Sequence, residues 1–446
     1  MTSSKKYFAI PAAAVALGLG AGAVAQAAEP TTEQLLQKIE ALQSEVSQLK
    51  ATQQTQSAMT AKQVDATVER VLNDAEKRSQ LLQVQGFTAG YNNGRFTIQD
   101  AAGNFVLRPS LEFQFRGVGN IRDGGDNNDD DKQKGFEVSR MAFGFDGSAC
   151  TPDLTYAFQW NTTTGGSVYL ETAVIRYAMG DTMAIRAGQF ANPVFHEQGT
   201  ATVNQLGVAR SLVNTLITGA DQAFTQAVSV QFDPTSQLAI EIGAEDGFNS
   251  GNSDFTDPSS GGSYDWGIFG RGDFFIQGGK AEAADFSARG NKNDLLAIGV
   301  GVDASQTGSS TDYLHSVDVQ WENTGGLAIY GAYLGDWITN GGTGDDDFYN
   351  WGFLVQAGYM LNDRWELYGR YDYTHFDQDL LATNEAEEYC ELTLGVNWYM
   401  CTGNTAKVSF DVTYLPNGSP SELRNLGILA ADDDEWVFRG QFQLVL

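Results

Sequence analysis

Six arginines stand on the polar face of segments whose other face is oily: Arg108, Arg116, Arg140, Arg176, Arg186 and Arg439. A guanidinium keeps its charge at every accessible pH and offers a planar fork that fits phosphate or carboxylate. Gathered on one wall of a water-filled space, such a set would handle anions. Acids occupy the same parity elsewhere: Glu241, Glu245, Asp265, Asp273, Asp303, Asp318, Glu322 and Asp336. A basic wall opposite an acidic one implies a transverse field, which orders water and disfavours apolar solutes. The competing reading of each arginine is a structural ion pair with a nearby acid such as Glu112 or Asp146.

Other chemistries find no support. His196, His315 and His375 are scattered without metal-ligand spacing. Nucleophile elbows and phosphate-binding loops are missing, and the Gly-rich stretches read as turns. Cys150, Cys390 and Cys401 are an odd number. Cys390 and Cys401 fall on one segment, ~35 Å apart at ~3.3 Å per residue, which is too far for a bond. We therefore expect no enzyme, no cofactor and no metal. The acidic tracts Asp123–Asp131 and Asp432–Glu435 lack the Gly and distal Glu of a calcium loop and read as solvated. A formal charge of -29 also argues against a nucleic-acid partner.

The elements that would position the arginines are strands. In Glu435–Leu446, Trp436, Phe438, Phe442, Leu444 and Leu446 share one parity, while Arg439, Gln441 and Gln443 share the other. That is a strand between unlike solvents. After the first thirty residues no segment nears the ~18 apolar residues of a membrane helix. A membrane-spanning chain this polar must be a closed barrel, where every backbone group is paired. The alternation starts at Phe105–Asn120 and recurs fifteen more times, predicting a sixteen-stranded antiparallel transmembrane β-barrel over 105–446. Connections expected outside are mostly long and acidic, and most of those expected inside are tight, as in outer-membrane barrels. One inner connection, Gln277–Asn293, is long; it reads as a missed strand pair or a small insertion.

Residues 1–27 read as a signal peptide: Lys5 and Lys6, an apolar run, then Ala25-Gln26-Ala27. Removing those two lysines takes the charge from -29 to -31. Residues 28–84 read as a periplasmic α-helical coiled coil, with Leu35, Ile39, Leu42, Val46 and Leu49 spaced 4-3-4-3. The seam resumes at Val64, Val68 and Val71 after a register shift within Ala51–Thr60. Residues 85–104 read as a linker. Outer-membrane lipid, further copies of the chain in an oligomeric coil and peptidoglycan are the expected partners of such an exported chain.

Three stretches carry a resemblance: Arg140–Gly147 (RMAFGFDG), Leu170–Tyr177 (LETAVIRY) and Ile185–Pro193 (IRAGQFANP), followed by Arg210-Ser211-Leu212-Val213. In order and spacing they resemble the phosphate-selective porin O and P family of outer-membrane porins. The resemblance implies a trimer of sixteen-stranded barrels that passes small hydrophilic solutes and anions, including phosphate. Two departures stand out: Ala191 where relatives carry Lys, and a final Leu446 where these barrels end in an aromatic.

The segment 190–223 is long, apolar and less acidic than the other outer connections, so it is expected to fold inward as a constriction. Phe190, Pro193, His196, Glu197 and Arg210 would then line the narrowing, with Arg108, Glu112, Arg116, Arg140, Arg176, Arg186 and Arg439 lining the pore. The expected function is passive diffusion of small hydrophilic solutes and ions, with anions favoured. The alternative is a structural protein that tethers the envelope through its coil.

Overall fold

The computed structural model describes residues 33, 36–51, 66–73, 86–92, 95–122, 131–252, 264–339, 346–378, 386–401, 404–429 and 433–446. The chain divides into two compact units, Met1–Leu81 and Leu82–Leu446. In the first, residues 36–51 and 66–73 are helical, and Ile39, Leu42, Val46, Leu49, Val68 and Val71 are all exposed. Among its described residues the first unit therefore shows short helical stretches, without the paired helices of a coiled coil. The predicted signal peptide and most of the register shift lie outside the described residues.

The second unit opens with a departure from expectation. The stretch read as a linker forms a hairpin, β1 (Phe87–Asn92) and β2 (Arg95–Asp100), paired from Phe87↔Asp100 to Asn92↔Arg95. In sequence, Asn-Gly at positions 93 and 94, between the two strands, is the dipeptide signal of a tight hairpin. Strand β2 pairs with β3 (Val106–Arg122) at Ile98↔Leu107 and Gln99↔Val106.

From β3 the chain runs as an antiparallel meander through β4 (Asp131–Ala149), β5 (Thr151–Thr162), β6 (Val168–Ala178), β7 (Met183–Ala191), β8 (Phe224–Thr235), β9 (Leu238–Glu245) and β10 (Trp266–Gln277). It continues through β11 (Leu295–Thr307), β12 (Ser310–Glu322), β13 (Leu327–Thr339), β14 (Phe348–Asn362), β15 (Trp365–His375), β16 (Glu388–Tyr399), β17 (Ala406–Leu415) and β18 (Glu435–Val445). Strand β18 returns to β3 over Glu435↔Arg122 to Val445↔Glu112, which closes a sixteen-stranded barrel. The inner connection 278–293 holds no strand pair; it contains a single 3-10 turn, Glu282–Ala284, and so is the insertion.

Outward residues such as Val300, Val317, Val355 and Leu394 are exposed, while their strand neighbours are buried inside. Aromatic rings gather near both ends of this apolar band: Trp365 stacks on Trp398 at 5.9 Å, and Trp351 lies 5.5 Å from Tyr373 near the opposite rim. Such girdles suit the interfaces of a bilayer. Tyr399, close to Trp398 in sequence, points inward, is buried and donates to Glu366 at 2.6 Å.

Near the closing seam, Arg439 donates to Asp411 Oδ1 at 2.7 Å, Thr413 at 2.5 Å and Leu426 O at 2.7 Å, with both charged groups almost fully covered. Removing one partner of a covered pair leaves the other charge uncompensated, at a cost of about 3–5 kcal/mol. Arg439→Leu is therefore expected to lower the temperature at which the folded barrel converts to its slow-migrating unfolded form on gels. The double change Arg439→Leu with Asp411→Leu should recover part of that loss. Equal losses in the single and double variants would contradict the pairing.

Candidate functional site

The lumen is partly filled. After β7 the chain turns inward, and 190–223 lies inside the barrel with Val194, Leu206, Leu212, Val213 and Ala223 buried. A helix, Leu212–Thr218, begins at Ser211, whose side chain accepts from Asn214 N, and ends at Gly219 with φ 68°. Small inward residues on the wall make room for it. A Cβ on Gly301 would stand 2.0 Å from Val194 O, and one on Gly352 would stand 2.4 Å from a Val213 methyl.

An inward segment lacks a sheet partner for its backbone groups, so wall side chains must supply one. Arg271 Nη1 and Ser316 Oγ donate to Val194 O, at 3.1 and 2.6 Å. Arg370 donates to Ala209 O and Arg210 O, at 3.0 and 3.1 Å. Lys407 holds Gln205 O, Gln443 holds Val203 O, and Asp411 accepts from Val208 N. Asp372 and Glu391 accept from Leu212 N at the start of the helix. Sequence reasoning omitted Arg271 and Arg370. Each stands at inward parity two residues before an aspartate, Asp273 and Asp372, and that spacing was the available signal.

Within the segment, Glu197 accepts from Ser211 N at 2.9 Å and Ser211 Oγ at 2.6 Å. Arg210 donates to Glu197 O and to Thr200 O. Phe190 packs edge-on against Phe269 and lies beneath the Arg186 guanidinium. Pro193 is half-buried at the point where the chain enters the lumen. His196 meets Gln320 at 2.9 Å and the Phe286 ring at 5.4 Å, and burial lowers its pKa.

Phe286 belongs to the insertion 278–293, which enters the lumen from the other end. Asn204 donates to Ala284 O, Ser287 to Glu366, and Arg289 lies over the Tyr399 ring at 4.3 Å. The two inserted segments thus meet along the β10–β17 side.

The opposite side, β3–β6, stays open as two cavities. The one nearer the long loops, about 640 Å³, has Arg116, Arg140, Glu171 and Arg210 in its wall. The one nearer the short turns, about 480 Å³, has Arg95, Glu112, Asp146 and Val203. Between them stand Arg140 on the wall and the 3-10 turn Thr202–Asn204 on the inserted segment.

Each predicted pore arginine has a partner. Arg108 meets Asp146 at 2.7 Å, and Arg95 of the hairpin shares that carboxylate. Arg116 donates to Glu137 at 2.9 Å and to Asn425 O at 2.7 Å. Arg140 bridges Glu112 and Glu171, with three bonds of 2.6 Å. Arg176 donates to Gln231 at 2.8 Å, and Arg186 to Glu241 at 2.5 Å. Arg108, Arg176, Arg186, Arg439, Phe190, Pro193, His196 and Glu197 border neither of these two cavities. The structural-pair reading therefore describes the geometry, and the free arginine wall does not. Asp265, placed inward on parity, is exposed beyond the end of β10. The three cysteines are unpaired.

A closed barrel with an inserted third outer connection and a water-accessible side is channel geometry, and sequence comparison agrees with it. The profile of a family described as phosphate-selective porin O and P matches residues 113–445. The chain belongs to this porin family. Its place is the outer membrane, and the family and fold are those of channel proteins. No curated protein matches the porin's sequence. Among solved structures, it is similar to an anion-selective porin from Comamonas acidovorans: 10% identity, 76% of this chain and 99% of that one covered, TM-score 0.53. OprB from Pseudomonas putida, at 11% identity, gives 76%, 94% and 0.52. OmpF from Salmonella typhi in complex with daunomycin, at 13% identity, gives 77%, 98% and 0.52. At these identities the likeness is one of fold.

Gly301→Ala is expected to push the base of the inserted segment off β11 toward β3–β6. Single-channel conductance should fall, and stability should drop by about 1–3 kcal/mol, as for other overpacked sites. Unchanged conductance would mean that the segment does not bound the passage. Asp285, in the insertion, is pushed up to about 6 by burial, with Glu366 adding to the effect. The folded insertion thus binds this proton more tightly than the unfolded chain does. Its contribution to stability is complete below the ordinary carboxylate range and is lost as pH rises through about 6. Asp285→Asn should flatten the melting temperature across that window; an unaltered pH profile would remove Asp285 from the account.

Proposed function

We propose that this porin passes small hydrophilic solutes and ions by passive diffusion along the β3–β6 side of its lumen, with a modest preference for anions. The single observation that carries this reading is the pair of cavities stacked on one wall, with Arg140 between them. Filling of the β10–β17 side supports a narrow passage rather than a wide lumen. Arg95, Arg116 and Arg140 in the walls of these cavities support the anion preference, as does the family's description. Their carboxylate partners keep it modest.

The first unit fits a supporting role. Its exposed Ile39, Leu42, Val46 and Leu49 would be covered in a trimeric coiled coil over residues 28–84, which we place in the periplasm after removal of 1–27. Peptidoglycan lies within reach of such a coil. We favour diffusion over envelope tethering as the main role, because the open side of the barrel has no evident use in a tether.

Reversal potentials in a planar bilayer under a salt gradient test the proposal. The unaltered protein should show a small anion-directed potential. A unit charge at ~8 Å in water is worth about 0.5 kcal/mol, roughly a factor of two in permeability ratio. Arg140→Ala removes one positive charge and unpairs Glu112 and Glu171, so the potential should swing toward cations. A potential that Arg140→Ala leaves unmoved would place the ion path elsewhere.

A further inference from the structure

Three ion pairs ring the larger cavity, and a simple anion path does not call for them. Arg116 pairs with Glu137, Arg140 with Glu171, and Arg210 lies 3.7 Å from Asp221. All six side chains border the same space, with Arg424 at its rim. The partners differ in what they show to water. Side-chain exposure is 4%, 9% and 1% for Arg116, Arg140 and Arg210, but 32% and 31% for Glu137 and Asp221. Arg424 is 76% exposed and pairs with Glu422 at 2.6 Å. Glu422 does not border the cavity and is itself 49% exposed, so a solute carboxylate would compete with it for the guanidinium. The solute-facing charges are therefore two carboxylates and one guanidinium, on a floor of covered arginines.

For a solute of one sign this lining offsets most of its own attraction. A compact solute that carries both signs meets a partner at each end. We propose that this cavity is a binding subsite for small zwitterions of the α-amino acid class. The ammonium group would face Glu137 and Asp221, and the carboxylate Arg424. The covered arginines act as positioning residues that hold the two acids in place. The subsite rests on the reading that this cavity lies on the diffusion path, and it adds the class of solute that lingers there.

The test is block of potassium chloride current through the full-length protein by millimolar serine. Lactate, serinamide and glycerol serve as anionic, cationic and neutral probes of similar size. Serine should block at about fivefold lower concentration than any of the three, the scale of one screened ion pair. Glu137→Gln and Asp221→Asn should each weaken the serine block. Arg424→Gln, at an exposed rim position that does not threaten folding, should weaken it too. Serine blocking no better than glycerol, or lactate blocking as well as serine, would overturn the subsite while leaving the porin intact. A protein without conductance would sink both readings.

Discussion

The structure depends on how an inserted stretch of backbone is satisfied inside a barrel. Residues 190–223 bring carbonyl and amide groups into a space where no strand can pair with them. A buried backbone group without a partner costs about 1–3 kcal/mol. The wall answers with side chains: Arg271, Arg370, Lys407 and Gln443 toward carbonyls, Asp372, Glu391 and Asp411 toward amides. Charge inside this barrel is thus largely a scaffold. The charges that hold the narrowing segment are not those that look like a selectivity device in the sequence. Arg271, Arg370 and Lys407 hold it, while Arg108, Arg116 and Arg140 pair with acids.

The asymmetry of the lumen follows. The β10–β17 wall carries the inserted segment, and small residues such as Gly301 and Gly352 are spaced so that it can approach closely. On the β3–β6 wall, Arg108, Arg116 and Arg140 pair with acids of the wall itself, which leaves that side accessible. Two kinds of ion pairing therefore divide the interior: one turned toward the inserted segment, one turned along the wall.

Much of this was legible in the sequence. Period-two alternation locates all sixteen barrel strands, because each faces lipid on one side and polar contents on the other. The apolar character of 190–223 announces an inward fold for the same reason. The partners of Arg271 and Arg370 were not legible. Their carbonyl acceptors on the inserted segment are distant in sequence, and a backbone oxygen leaves no trace in residue type. The hairpin of residues 87–100 was legible and overlooked, since Asn93-Gly94 between alternating segments is a turn signal.

The hairpin also bears on how the barrel chooses its shear. A strand can slip by two residues without turning its oily face inward, so alternation alone does not forbid that error. Leu446 and Leu111 exchange the final pair of backbone bonds between the chain's end and β3. Two positions further along that edge stands Pro109, which has no amide hydrogen to give, so a slip by one such step forfeits a bond. Two positions beyond it the edge is already held, because Leu107 pairs with Ile98. A proline and a borrowed strand thus act as a mechanical stop, and the circumference of the cylinder has one setting at which it locks.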